Sequence, residues 1–574
     1  MIGVDMAPRL RPPHPRRGYR ANRGDLWACV LLVALIGACA ATIRFRTAPL
    51  EDAAMLMRYA QHLAEGHGLV WNIGDAPVDG ATDFLYTLVI AVVTYVAVPV
   101  ETAARVVSLV SWIVTVGIVY VTARRIHGAS VIVASVAATA IIVGTATLYI
   151  SAGFGTPFFG LWVAVVALLA FRLRANPTHR TAALLFGLAW LFLGLTRPEG
   201  VLLGGFILFA LVVDLGPARS RQLLIWSLAV MATIGGMYFA WRWSYFGYPL
   251  PNPFYKKGGA VLHLDGLIVA ARAFVMFGAP FALIWLAALL DPRHRRTAVY
   301  TFIPIVLFTA CWILLSPEMN YASRFQYAIA VLIAMSWPAL AYSRSVVRFF
   351  QLKRSRLPAL GRTIQVAVVV GVALALVAPT AFYYQRSAGD TTDQRALVGS
   401  LLAPFASRGY LVATTEAGLI PLTSGWRALD TWGLNDQTIA HRGELIYADL
   451  DRAAPTVVFT HASQAPGANP VPDHVLGQQW TDMTVTVAEW ADDRGFELVR
   501  SAGRPGASTW NMWVRPGTPD SQRLAELLAC RTYVGLPTAA STRVVPISCS
   551  PNQRPDSRSE NFPVSTRTTE EPPG

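Results

Sequence analysis

Two adjacent carboxylates, Glu51 and Asp52, open the stretch EDAAMLMRYAQHLAEGHGLVWNIGDAPVDGATDFLY, Glu51 to Tyr86, the only long polar segment in the N-terminal third of the chain. A carboxylate within hydrogen-bond reach of an acceptor hydroxyl can act as a general base. The same pair can instead cap the next helix, because acidic groups are favourable at a helix N-terminus. Asp52 through Glu65 has helical composition and stops at Gly66. On that helix Asp52, Met55, Tyr59 and His62 recur at three-to-four spacing and share a face, with Arg58 and Glu65 on another. Trp71, Asn72, Asp79 and Asp83 follow in turn-rich sequence and offer a flat aromatic face and planar acceptors, groups suited to carbohydrate. His67 reads as structural.

Three more segments carry candidate chemistry. Trp241 to Lys257 is rich in aromatics and proline, contains Asn252, and ends in Lys256-Lys257. Its rings suit an interfacial belt, and its ammonium groups can neutralise a phosphate as point charges. Ser316 to Phe325 places Arg324 at a helix entrance, and Thr196-Arg197-Pro198-Glu199-Gly200 lies between two apolar runs, where Arg197 and Glu199 can pair and turn the chain.

The elements that position these residues are membrane helices. The 574 residues are 54% hydrophobic and 14% charged, against about 25% charged in soluble domains, and the mean hydropathy is +0.43. The net charge of +14 falls in short Lys/Arg clusters between apolar runs, the pattern of cytoplasmic loops and not of a nucleic-acid surface. Leu26–Ile43 is long enough to span a bilayer, and an uncleaved first helix is preferred to a signal peptide because many spans follow. Further apolar runs continue to Thr363–Tyr383. Arg124-Arg125, Arg172 to Arg180, Arg219 to Arg221, Arg293 to Arg296 and Arg344 to Arg362 read as cytoplasmic, which puts the four polar segments on the outer face together. Parity then requires Phe84–Ala123 to contribute an odd number of crossings. The expectation is a polytopic α-helical membrane protein with about eleven crossings, its first loop and C-terminus outside.

Residues 1–25 read as a basic cytoplasmic tail, 26–384 as the membrane domain with an outer catalytic loop at 44–83, and 551–574 as a disordered tail. Residues 385–550 read as a small extracytoplasmic α/β domain. Tyr410 to Thr415, Thr456 to Thr460 and Phe496 to Val499 are its strand-like runs, and Ser521 to Ala529 looks helical. Cys530 and Cys549 fall in this domain, where an oxidising compartment favours a disulfide; two unrelated thiols are the alternative.

The Glu51–Tyr86 run resembles the first outer loop of polyprenyl-phosphate-sugar-dependent glycosyltransferases of the GT-C fold. It is most similar to the actinobacterial terminal β-(1→2)-arabinofuranosyltransferases. The shared pattern is an acidic pair, an Arg-Tyr-Ala helix, a Gly-His-Gly-Leu-Val-Trp-Asn turn and a Gly-x-Thr-x-Phe-Leu helix start. Thr196 to Gly200, Leu250 to Lys256, and Ala417 to Pro421 with Asp430 to Asp436 also look like family landmarks. The resemblance implies an inverting transfer from a polyprenyl-phosphate sugar lipid to a cell-envelope polysaccharide acceptor at the plasma membrane, with Asp52 or Glu51 as base. It makes Lys256, Arg58, Arg197 and Arg324 the candidate donor-phosphate ligands. Tyr59, His62, Trp71, Asn72, Asp79, Asp83 and Asn252 become candidate sugar or acceptor contacts. Arabinofuranose is the preferred sugar and mannose the next. The acidic loop could also hold Mg²⁺, Mn²⁺ or Ca²⁺ through oxygen ligands, with no ligand set closed by the sequence. Three departures stand out: the pair is usually two aspartates, Gly153-Phe-Gly155-Thr-Pro157 stands where relatives carry Gly-Leu-Glu-Thr-Pro, and Asp83 occupies a place often taken by Asn. A lipid-linked-sugar transporter or flippase is the reading from another class, although no repeat is evident and the acidic residues sit at span ends. A non-catalytic scaffold is the third.

Overall fold

The computed structural model describes residues 23–257, 261–341, 394–461, 474–502 and 510–531. Among them six helices are long and apolar enough to cross a membrane: Arg23–Ala40, Val100–Ile126, Val131–Ala152, Thr156–Ala175, Pro217–Phe246 and Arg295–Leu314. Leu264–Ala279 and Phe281–Leu289 make a seventh candidate, bent by 84° between its halves. Helices suit such a solvent because they satisfy their backbone groups internally. The remaining apolar runs form shorter helices, among them Phe84–Tyr95 and Arg180–Thr196. The helix Phe84–Tyr95 has 12 residues and rises about 18 Å, too little to cross alone. Its neighbour Val100–Ile126 has 27. This is the pair from which an odd number of crossings was required. The apolar run Thr363–Tyr383 lies outside the described residues.

The two ends of the bundle differ in chemistry. At one end Arg124 pairs with Asp25 at 2.7 Å and Arg174 with Asp214 at 2.7 Å. His127 links the two by stacking edge-on to Phe171 at 4.6 Å, and Phe171 in turn meets Tyr300 under Arg174. These are the basic clusters read as cytoplasmic. At the other end the polar segments meet: the backbone N–H of Leu50 donates to Ala152 O at 3.0 Å, and the Arg105 guanidinium ties Ser151 O to Thr47 O. Between the ends Trp112, Tyr86, Phe159, Phe186 and Phe308 fill a single apolar core.

The C-terminal region is a five-stranded mixed sheet of order β2-β1-β3-β5-β4. Its strands are β1 Leu411–Thr414, β2 Arg427–Asp430, β3 Val457–His461, β4 Glu497–Ala502 and β5 Trp510–Val514. β1 runs parallel to β2 and β3, while β5 is antiparallel to β3 and β4. Three strands coincide with the strand-like runs of the sequence. β2 and β5 were not foreseen. Trp480, Trp490 and Phe496 pack on one face of the sheet. On the other, Tyr59 and Trp71 of the first loop share a core with Val412, Ala428 and Phe459. The loop and the sheet therefore fold as one body.

Candidate active site

The helix α2, Glu51–Ala64, heads the site. Ala, Met and Leu favour its formation, and Gly66, with φ +86°, ends it by adopting the left-handed conformation. Its first two carboxylates part ways. Glu51 Oε1 accepts the backbone N–H groups of Gly418 and Leu419, the latter at 3.0 Å, and Oε2 lies 3.5 Å from Arg395 Nε. It is committed to the C-terminal region and is not placed to take a proton from a substrate. Asp52 turns to a different side of the helix and pairs with Arg324.

Around Asp52 lies a charged group built from three segments. Arg197 Nε meets Glu199 Oε1 at 2.6 Å and Nη1 lies 3.7 Å from Asp83 Oδ2. The guanidiniums of Arg197 and Arg324 rest 4.7 and 4.8 Å from the Phe325 ring, and Arg324 lies 3.9 Å over Phe154. Burial raises the Asp83 carboxyl above its ordinary range, and the two guanidiniums only partly offset this. Burial pulls the Arg197 guanidinium down, but Glu199 and then Asp83 outweigh it and hold its proton more tightly than usual. The Arg-x-Glu pairing foreseen for the turn is thus present, and it is part of the site.

A second group surrounds Lys256. The short helix Asn252–Lys256 is seated by the Asn252 N–H, which donates to Asp79 O at 3.0 Å. Asp79 pairs with Arg242, and burial still pushes its carboxyl up to about 6. Lys256 is buried, donates to Gly443 O and lies 4.1 Å over the Trp432 ring. Burial pushes its ammonium down to about 8, against the pull of Asp430 and Glu318. Lys257 pairs with Glu318 at 3.4 Å. Asp430 accepts the N–H groups of Trp432, Gly433 and Asn435 at 2.9–3.2 Å, and burial raises it to about 6 despite them. Arg242 and Glu318 had no assigned role in the sequence reading, and Asp430 entered it only as part of a family landmark. Arg242 carried a signal, since a cation ending a long apolar helix needs a partner.

Several predicted site residues serve the loop–sheet joint. Arg58, assigned to donor phosphate, is buried and donates to Trp71 O, Pro421 O, Asn72 Oδ1 and Trp426 O at 2.6–3.2 Å. Its fork is consumed by three backbone carbonyls and the Asn72 amide oxygen, and burial lowers its pKa to about 10. Asn72 pairs both ways with Ala428, Oδ1 accepting its N–H at 2.9 Å and Nδ2 donating to its oxygen at 3.1 Å, and Trp71 Nε1 donates to the same oxygen at 3.0 Å. These side chains cover the open edge of β2, as exposed edge strands require. Tyr59 Oη donates to Asn435 Oδ1 at 3.1 Å. His62 Nδ1 is 3.0 Å from Val70 O. Neither Tyr59, His62, Trp71 nor Asn72 is left facing a substrate. Periodicity placed Tyr59 and His62 with Asp52 correctly along the helix, but it could not reveal that a sheet covers the later turns. At Gly155 a Cβ would lie 2.6 Å from the Tyr86 ring.

Asp52 and Asp83 are turned to guanidiniums, and no group of three or more His, Cys, Asp or Glu among the described residues could hold a metal. Cys549 and the Cys530 side chain lie outside the described residues.

Residues 383–512 match the model of a domain of unknown function, DUF8728. No curated protein matches the chain. ArnT from Cupriavidus metallidurans in the apo state is similar with a TM-score of 0.55 at 15% identity, over 85% of this chain and 98% of that one. The same protein bound to undecaprenyl phosphate gives 0.54 at 14%, over 84% and 97%. The archaeal oligosaccharyltransferase AglB from Archaeoglobus fulgidus, in complex with an inhibitory peptide and a dolichol-phosphate, gives 0.47 at 12%, over 84% and 74%. At such identities the ArnT likeness establishes the fold alone: the chain is a multi-pass membrane protein of GT-C architecture with a C-terminal sheet region.

Proposed function

We propose that the chain is an inverting membrane glycosyltransferase that moves a sugar from a polyprenyl-phosphate donor to a cell-envelope glycan on the outer face of the plasma membrane. The observation that carries this reading is that the one segment Ser316–Gln326 puts Arg324 on Asp52 of the first loop and Glu318 on Lys257, next in the chain to the buried Lys256. Asp52 takes the proton of the acceptor hydroxyl while that oxygen bonds to the anomeric carbon. The bond from that carbon to the phosphate oxygen breaks, and the polyprenyl phosphate leaves with the electron pair. Lys256 and Lys257 neutralise the charge developing on it, the kind of fixed electrostatic aid that lowers such barriers. ArnT, bound to undecaprenyl phosphate in one of its structures, supports a lipid-phosphate donor. The loop motifs support arabinofuranose, with mannose next, and the basic clusters at the opposite end support the outward orientation.

The test is transfer from polyprenyl-phosphate arabinofuranose in membranes holding the wild type or Asp52→Asn. Loss of about a hundredfold or more in rate is expected, in line with general-base contributions. A full rate in the variant overturns Asp52 as base. Transfer from a mannosyl donor alone reassigns the sugar.

A further inference from the structure

The segment Ser316–Gln326 touches both halves of the site. Near its start Glu318 pairs with Lys257 at 3.4 Å, and near its end Arg324 pairs with Asp52. Between them Met319, Ala322 and Ser323 have φ of 58°, 50° and 56°, left-handed conformations that residues bearing a Cβ rarely adopt unless their surroundings impose them. Here the surroundings do so. Asn320 Nδ2 donates to Gln326 Oε1 at 2.7 Å, Asn320 Oδ1 accepts the Phe325 N–H at 3.1 Å, and Tyr149 Oη donates to Ala322 O at 2.7 Å. The Arg324 guanidinium has its Nε buried without a hydrogen-bond partner, so Asp52 is the principal acceptor holding it on this side.

We propose that this segment is a latch: Glu318 on Lys257 keeps Arg324 on Asp52, and a phosphate arriving at the lysines displaces Glu318 and frees the base. Glu318 is then a positioning residue, acting on Asp52 through the strained turn. The inference rests on the reading of Asp52 as base and of Lys256 and Lys257 as phosphate ligands. Its physics is competition and release. A phosphate and Glu318 cannot both occupy the ammonium of Lys257 without mutual repulsion. Once Glu318 leaves, the left-handed turn loses one of its restraints and can relax, carrying Arg324 away from Asp52. The base is thereby exposed only when the donor is seated, which protects the site from idle proton transfer. Reciprocity follows from linkage: if phosphate weakens the Asp52–Arg324 pair, removing that pair strengthens phosphate binding by the same factor.

The experiment is a double-mutant cycle on the full chain in detergent, reading the Kd of a short-chain polyprenyl phosphate. Asp52→Asn and Glu318→Gln should each tighten binding about tenfold, within the range of ordinary coupling. The double variant should bind no tighter than the tighter single variant, because both release one device. If the two gains multiply, each substitution merely removes a negative charge and the latch is overturned. Should Glu318→Gln fail to fold, Lys257→Met replaces it, and in that background Asp52→Asn must give no gain; a tenfold gain there overturns the latch equally. Absence of lipid-phosphate binding by the wild type overturns instead the reading on which the latch rests.

Discussion

The Glu51 carboxylate and the Gly418 backbone N–H are hydrogen-bonded across 367 positions of chain. The Gly418 N–H donates to Glu51 Oε1, and a Cβ on Gly418 would lie 2.1 Å from the Glu51 carbonyl oxygen. The residue beside the proposed base is therefore clamped by the C-terminal sheet region. The Glu51 side chain reaches both N–H groups at the start of Leu419–Ser424.

Gly418→Ala should disturb this clamp. Backbone cannot yield as a flexible side chain does, so overpacking of about 1–3 kcal/mol is expected. Thermal unfolding in detergent should show a lower midpoint, and transfer should fall with it because Asp52 is displaced. An unchanged midpoint would show that the contact is not as close as described.

Arg58→Lys should fail to rescue what Arg58→Met loses. An ammonium cannot reach the four acceptors that the guanidinium bonds at once. Leaving buried carbonyls unpaired costs about 1–3 kcal/mol each. The expected outcome for both is poor yield of folded protein, with donor KM near the wild-type value in whatever folds. A folded, stable Arg58→Lys with a raised donor KM would return Arg58 to the phosphate.

Donor binding should weaken as pH rises past about 8, where Lys256 loses its proton, and not near 10.5 as for an ordinary lysine. The sign is set by burial, which favours the neutral amine; below about 8 the ammonium is present and phosphate is held. The measurement is donor KM against pH in the wild type and Lys256→Met. The variant should show a raised KM at pH 7 and no alkaline limb of its own near 8.

Gly155→Glu should not build a second catalytic carboxylate. Its Cβ would meet the Tyr86 ring at 2.6 Å, and Tyr86 is held by Ser108 Oγ at 3.0 Å and Ala104 O at 2.9 Å. Loss of thermal stability with no gain in rate is expected. A rate above wild type would show that the ring moves aside.

Much of the site was legible in residue types and order. The acidic pair, the lysine pair and the two Arg-bearing turns were read from polar sequence interrupting apolar runs, since charges at membrane depth are costly and collect at span ends. Arg58, Trp71 and Asn72 were misplaced for one physical reason: a guanidinium, an indole and an amide suit a sugar or a backbone edge equally well. Which one they meet depends on a strand more than 350 positions away.

By itself the sequence determined that this chain is a multi-pass helical membrane protein, with its polar segments gathered at one end and its basic clusters at the other. Hydropathy and charge act locally, through the cost of moving each segment into hydrocarbon, so composition and order suffice to read them. Only the tertiary structure decided the roles within the first loop. Glu51 belongs to the C-terminal clamp and Asp52 to Arg324, although the two are neighbours in sequence. Adjacent side chains on a helix point about 100° apart, and what stands on each side is settled by long-range packing.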